Sequence, residues 1–229
     1  MILSPDRKFV FVHIMKTAGE SVEIAYDGVA RWNDLLLGGS PHGERMAGPY
    51  AARFGLHKHS TAAEIREVVG ADTWAGSTSY AIVRDPVSRM VSAWTYLQVV
   101  RNSITWRDRA KSWVGRGPPK VGWVQVIEQA RTFSEWLNHP VARQSMLMQP
   151  QASFVTDASG APIVTDILRF ESLPSEWERV RGRLGLEGVP LPHKNSSGGV
   201  DKPVVTDADR VLIHELMAAD YEMFGYARS

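Results

Sequence analysis

The chain has 229 residues, 44% hydrophobic and 22% charged, with a formal net charge of +1 at pH 7, which suits one domain spanning 1–229 with a sizeable core. The near-neutral balance gives no electrostatic case for nucleic acid, and the absence of cysteine excludes disulfide and thiol chemistry and weakens any structural zinc site. Met1 to Lys8 lack the apolar core of a signal peptide and no apolar run approaches the roughly 18 residues of a membrane span, so the expectation is a soluble cytoplasmic protein.

Phe9 to His13 reads as a strand buried on both faces, because it is a short run of aromatics and valines. A tight turn with Lys16, Thr17 and Gly19 follows. Val22, Ala25, Tyr26 and Val29 then recur at helix-face spacing. Strand, small-residue turn and helix together point backbone N–H groups and a helix dipole at an anion, and Lys16 adds a full positive charge there. Many such units bind nothing, so this stretch alone leaves anion binding and a plain structural turn both open.

Residues 31–56 are rich in Gly, Pro and polar residues and read as a long functional loop. Thr61 and Glu64 form a capping-box pattern that predicts a helix over 62–69, stopped by Gly70 and starting directly after His57-Lys58-His59. Ser79 to Val83 reads as a second buried strand. Arg84-Asp85-Pro86 then starts a helix, with Asp85 as N-cap and Pro86 at the first helical position. That helix carries Val87, Met90, Val91 and Trp94 on one face and Ser88 and Ser92 on another. Two strand-turn-helix units in succession predict parallel pairing of their strands. The fold class is therefore α/β: a P-loop-like three-layer sandwich with a central parallel sheet of about four or five strands flanked by helices.

Residues 101–123 read as an irregular excursion forming a flap over the site. Phe133–Leu137 and Val141–Met148 suggest short helices, and Phe154–Val164 a small hairpin turning at Gly160. Asp166–Phe170 reads as a strand, and Ser172 caps a helix running to about Leu184. A loop over 185–205 contains His193, Lys194 and Asn195. The last helix opens at Thr206, with Asp209 at the reciprocal capping position.

Lys16-Thr17 matches only the tail of a Walker A loop, since no glycine stands in the five residues before Lys16. No convincing acidic Mg²⁺ ligand follows an apolar strand, Asp85 being the nearest to one. An ATP- and Mg²⁺-dependent phosphotransferase is thus the alternative and not the first reading.

Phe11-Val12-His13-Ile14-Met15-Lys16-Thr17-Ala18-Gly19-Glu20-Ser21 closely resembles the first cofactor motif of the sulfotransferases that use 3′-phosphoadenosine 5′-phosphosulfate (PAPS). The likeness is greatest to the carbohydrate-type branch, which includes the heparan 2-O- and chondroitin sulfotransferases, in a bacterial-type soluble form. Its usual pattern is F-x-H-x-P-K-T-A-G-T-S, and this chain departs from it at Met15 and Glu20. Arg84-Asp85-Pro86-Val87-Ser88-Arg89-Met90-Val91-Ser92-Ala93 resembles the second motif, R-D-P-x-x-R-x-x-S-A. The resemblance implies that Arg84 and Ser92 hold the 3′-phosphate. It further implies that Lys16, Thr17, Ala18, Gly19, Glu20, Ser21 and Val22 seat the 5′-phosphosulfate. Weaker similarity runs through 169–173, through Leu191 to Asn195, where His193, Lys194 and Asn195 are candidates to touch the nucleotide, and through 220–226.

Sulfuryl transfer suits these residues. A sulfuryl group carries one fewer negative charge than a phosphoryl group, so a lysine and backbone N–H groups suffice without a metal ion. Arg84 suits bidentate contact with a doubly charged phosphate, an ion pair with a neighbouring acid being its other role. Transfer to a hydroxyl needs a proton acceptor titrating near neutrality, which points to His57-Lys58-His59. In an extended segment both rings would face one cleft. The resemblance implies His59 as the base; His57 assists or substitutes, and Glu20 is a rival carboxylate. His13 reads as a packed histidine. The expected reaction moves the sulfuryl group to a hydroxyl of a glycan or other alcohol and releases adenosine 3′,5′-bisphosphate, with no metal. A non-catalytic binder of that bisphosphate is a further alternative.

Overall fold

The computed structural model describes residues 1–103, 126, 129–192 and 199–228. These group into two compact units, each built from two stretches of chain. The first combines Met1–Asp85 with Gln151–Lys194, and the second combines Pro86–Pro150 with Asn195–Ser229.

The first unit holds a five-stranded sheet. Its strands are β1 (Ile2–Ser4), β2 (Phe9–Val12), β3 (Leu35–Leu36), β4 (Thr78–Val83) and β5 (Asp166–Arg169), in spatial order β3-β1-β2-β4-β5. β2, β4 and β5 run parallel, with Phe11 opposite Tyr80 and Ile82 opposite Leu168. The parallel pairing expected of the two strand-turn-helix units is present. β1 and β3 pair antiparallel at one edge, so the sheet is mixed. The sequence reading had no strand at either place: β1 precedes a tight turn back to β2, and β3 is two residues long.

Strand residues alternate between faces. Phe9, Phe11, Tyr80, Ile82 and Leu168 share one cluster with residues of two helices, α1 (Gly19–Asp27) and α9 (Leu173–Val180). From α1 come Val22, Ala25 and Tyr26, the stripe that its spacing predicted. From α9 come Leu173, Trp177 and Val180. Phe9 meets Tyr26 edge to face at 5.2 Å, which adds a directional contact to the area buried.

Residues 31–56 are not a loop. They contain β3 and the 14-residue helix α2 (Pro41–Phe54). Its end signals are complete: Ser40 Oγ accepts the Gly43 N–H, Pro41 sits in the first turn, and Gly55 closes the helix at φ 72°. These caps outweigh two interior glycines and Pro49, which make the interior read as coil. Gly43 is its one buried residue, so no apolar stripe marked it in the sequence. Helix α3 (Ala62–Val69) spans the expected residues with its capping box formed, and a short α4 (Ala71–Ala75) follows.

The expected hairpin over Phe154–Val164 is reduced to one bridge, between Thr156 and Pro162. Phe154 and Val155 instead end a short helix, α8 (Ala152–Val155), where both are buried. Helix α9 stops at Val180, short of Leu184.

The second unit is helical in its described residues. It comprises α5 (Pro86–Ser103), α6 (Phe133–Asn138), α7 (Pro140–Arg143), α10 (Asp207–Leu216) and α11 (Ala218–Phe224). Thr206 and Asp209 cap α10 reciprocally as read from the sequence. Val87, Met90 and Trp94 of α5 lie in one core with Phe133, Trp136, Ile213 and Met217. The excursion expected over 101–123 lies outside the described residues from position 104 onward.

Candidate functional site

The first unit builds its site at the end of β2. Between Val12 and Gly19 the backbone makes a turn with Lys16 at φ 68° and Ala18 at φ 72°. Left-handed conformations cost non-glycine residues about 1–2 kcal/mol each. Thr17, which is buried, pins the turn by donating from Oγ1 to the Ile14 carbonyl at 2.8 Å. Ala18 occupies the N-cap position of α1 and no side chain caps that helix. The positive end of the α1 dipole therefore lies at the same turn that presents Lys16. Burial lowers the Lys16 pKa to about 8; the cations of Arg84 and Lys58 push the same way and Glu20 opposes.

Arg84 leaves the end of β4, the strand beside β2. Gln151 clamps its backbone twice: the Arg84 N–H donates to Oε1 at 2.9 Å and its carbonyl accepts from Nε2 at 2.8 Å. The guanidinium lies over the Phe170 ring at 4.1 Å, and Nη1 donates to the Lys16 carbonyl at 3.4 Å. Two turns, each following a parallel strand, thus meet beyond the strands' C-terminal ends, the usual place for a ligand in such sheets. Gln151 sits in no motif, and Phe170, though within the weakly similar stretch 169–173, had no role assigned to it from the sequence.

Ser92 is on α5 in the second unit and is half-buried. Arg89, the other arginine of that motif, is 1% exposed and donates from Nη2 to the Gln149 carbonyl at 2.6 Å. It belongs to the core of the second unit. Lys194 and Asn195, with His193, lie outside the described residues.

The segment carrying His57 and His59 is a turn, closed by the Ser60 N–H donating to the His57 carbonyl at 3.0 Å. It is not the extended stretch that would aim both rings one way. The His59 N–H donates to His57 Nδ1 at 3.2 Å, so His57 uses that nitrogen as an acceptor. The His59 ring reaches back to β2's end, where its Nδ1 bonds the His13 carbonyl at 3.0 Å. A carbonyl only accepts, so Nδ1 carries the proton and Nε2 keeps the lone pair. Burial first, then the positive groups around it, lowers the His59 pKa to about 3, which keeps the ring neutral at pH 7.

His13 is 3% exposed and is more than packing. Its Nδ1 lies 2.7 Å from Oε1 of Glu23, which is fully buried. The Met1 ammonium donates to the same oxygen at 2.7 Å, and Lys58 Nζ stands 3.7 Å from Oε2. Burial alone would raise the Glu23 pKa; the charge interaction and hydrogen bond with His13, then those with the Met1 amino group, overcome it and hold it at about 2. Burial lowers the His13 pKa, so the pair is a neutral imidazole donating to a carboxylate. Glu23 was missed in the sequence. The signal was there: it stands four residues after Gly19 and three before Tyr26, on the inward stripe of α1, where a carboxylate must find partners.

The arrangement can hold a polyanion at Lys16, Arg84 and the start of α1, with a neutral imidazole acceptor in the same unit. Among the described residues no cluster of His, Cys, Asp or Glu could hold a metal ion, and no helix is long and apolar enough to cross a membrane. A family model described as the Sulfotransferase family matches residues 1–227. No curated protein and no solved structure matches the chain.

Proposed function

Given that the chain belongs to the sulfotransferase family, we propose that it transfers a sulfuryl group from PAPS to a hydroxyl of a glycan or another alcohol, releasing adenosine 3′,5′-bisphosphate. The observation that carries this is the meeting of Arg84 with the Lys16 turn, Nη1 to carbonyl at 3.4 Å. It brings a cation suited to a phosphate dianion against an uncapped helix start that carries a second cation.

The donor supplies the activated sulfur–oxygen bond. Lys16 and the N–H groups from Thr17 through Val22 seat the phosphosulfate end, and Lys16 offsets negative charge growing on the leaving phosphate oxygen. Arg84 and Ser92, which the second motif pairs, hold the 3′-phosphate, and Lys194 and Asn195 contact the nucleotide. His59 takes the acceptor's proton at Nε2. Geometry favours it over His57, whose Nδ1 is engaged by the His59 N–H and whose Nε2 therefore carries hydrogen. Glu20 instead stands in the first turn of α1, where its charge complements the helix dipole. A pKa of about 3 makes His59 by itself a weak base. A bound polyanion raises it, because nearby negative charge favours the imidazolium.

The test is a screen of hydroxylated compounds with sulfate-labelled PAPS and purified protein. The proposal expects labelled product with the native protein, none with Lys16→Ala, and no strict requirement for magnesium. Transfer from ATP and Mg²⁺ with none from PAPS would establish a phosphotransferase instead.

A further inference from the structure

We infer that His13 is a positioning residue, wedged between Glu23 and Gly19 so that its carbonyl and ring fix the orientation and tautomer of His59. The inference rests on the reading of His59 as the base.

A histidine needed only to fill space would be cheaper as an apolar residue. Burying an imidazole beside a carboxylate strips both of water, and apolar replacements of such pairs are often neutral or stabilising. Here two more nitrogens, the Met1 ammonium at 2.7 Å and Lys58 Nζ at 3.7 Å, stand against the Glu23 carboxylate in the interior. The result is a His13 ring that cannot turn. Glu23 Oε1 takes its Nδ1–H at 2.7 Å, and Gly39 closes over Glu23, with no room for a Cβ at its φ of +76°. On the far side stands Gly19, where a Cβ would collide with His13 Cδ2 and Nε2.

The held residue meets His59 twice. The His13 carbonyl accepts the His59 Nδ1–H at 3.0 Å, and the two rings meet edge to face at 4.7 Å and 70°. The backbone contact selects the tautomer and the ring contact selects the rotamer. Because Gly19 opens α1, the same ring ties the start of the anion-binding helix to the proton acceptor. The charged and titratable groups around the pair are Glu23, the Met1 ammonium, Lys58 and His57. The cations among them discourage a proton on His59 and leave its Nε2 open.

The test is nuclear magnetic resonance of the full chain with ¹⁵N-labelled histidine, native and His13→Asn. Native protein is expected to show His59 protonated at Nδ1 alone. His13→Asn keeps the backbone carbonyl and a donor toward Glu23 but removes the ring that holds the His59 rotamer, so the His59 ring should swing off the carbonyl, its Nε2–H tautomer appear beside the Nδ1–H one, and its proton affinity rise about tenfold or more. A lower melting temperature with His59 signals unchanged would overturn the inference and leave His13 a packing residue. Should His13→Asn fail to fold, Glu23→Gln keeps the volume and removes the charge. It should free the His13 tautomer and shift His59, and unshifted His59 signals there overturn the inference equally. Calorimetry with adenosine 3′,5′-bisphosphate separates the two ideas. Absent heat from native protein defeats the donor reading while the resonance result stands. Turnover lost in His59→Ala but intact in His13→Asn defeats the positioning role and spares the base.

Discussion

The two units bury different things. In the second, the described core is mostly aromatic and aliphatic: Trp94, Phe133 and Trp136 lie within 5.8–6.4 Å of one another by ring centroid, and its buried charges, Arg89, Asp209 and Asp220, sit on ordinary backbone. The first has an apolar sheet face as well, yet around the end of β2 it encloses Glu23, His13 and the Met1 ammonium, and bends Lys16 and Ala18 into left-handed backbone. Each of those features lowers stability on its own. Under the proposed function, left-handed backbone beside desolvated charge marks where an anion and a proton are handled, and the second unit's tryptophans mark where stability is made.

If that contrast is right, substitutions in the two units should fail differently. The largest effect is expected from Lys16→Ala, with kcat/KM down about 10³-fold, the loss typical of removing a charge-stabilising donor. Its melting temperature should hold, because a desolvated ammonium leaves with the side chain. Full turnover in that variant would remove Lys16 from the chemistry. Trp136→Ala should do the reverse: a loss of about 3–5 kcal/mol in urea unfolding, with the tautomer of His59 unmoved in the folded fraction.

His59→Ala should lower kcat about 10²-fold, within the range of a general base, with bisphosphate affinity little changed. A loss confined to affinity would make His59 a binding residue. The smallest effect is on acid stability. The folded pKa of His59 is about 3 against an ordinary 6.5, so the unfolded chain binds more protons and stability falls as pH drops through that window. Glu23, at about 2 against 4.5, adds stability above 4.5 that is lost toward 2. Both act in one direction, so urea midpoints should decline from about pH 6.5 downward, and His59→Gln should flatten the upper part of the decline.

What could be read from the sequence follows the range of the interactions. The β2 turn and α1 are contiguous, so strand run, small residues and helical stripe declare themselves together. β4 and α5 repeat the pattern, and parallel pairing follows from the repetition. Helix α2 escaped because its determinants are its caps at Ser40 and Gly55, while its interior carries Gly48 and Pro49. The hairpin at 154–164 failed because alternation cannot distinguish a strand from a four-residue buried helix. At the site, Lys16 and Arg84 were legible as motif residues. Their contact, the Gln151 clamp and the Phe170 face were not, because each spans more than 60 residues of chain. His59 was legible as a titratable group. Its dependence on the His13 carbonyl, 46 residues away, was not.

The claim beneath all of this is that the Lys16 turn and Arg84 grip one doubly phosphorylated adenosine. Titration calorimetry of adenosine 3′,5′-bisphosphate into native protein, Lys16→Ala and Arg84→Ala tests it most directly. The account predicts saturable heat from the native protein and at least about tenfold weaker binding in each variant, the loss of one charged contact to phosphate. No heat from folded native protein, or equal affinity in all three, would contradict it.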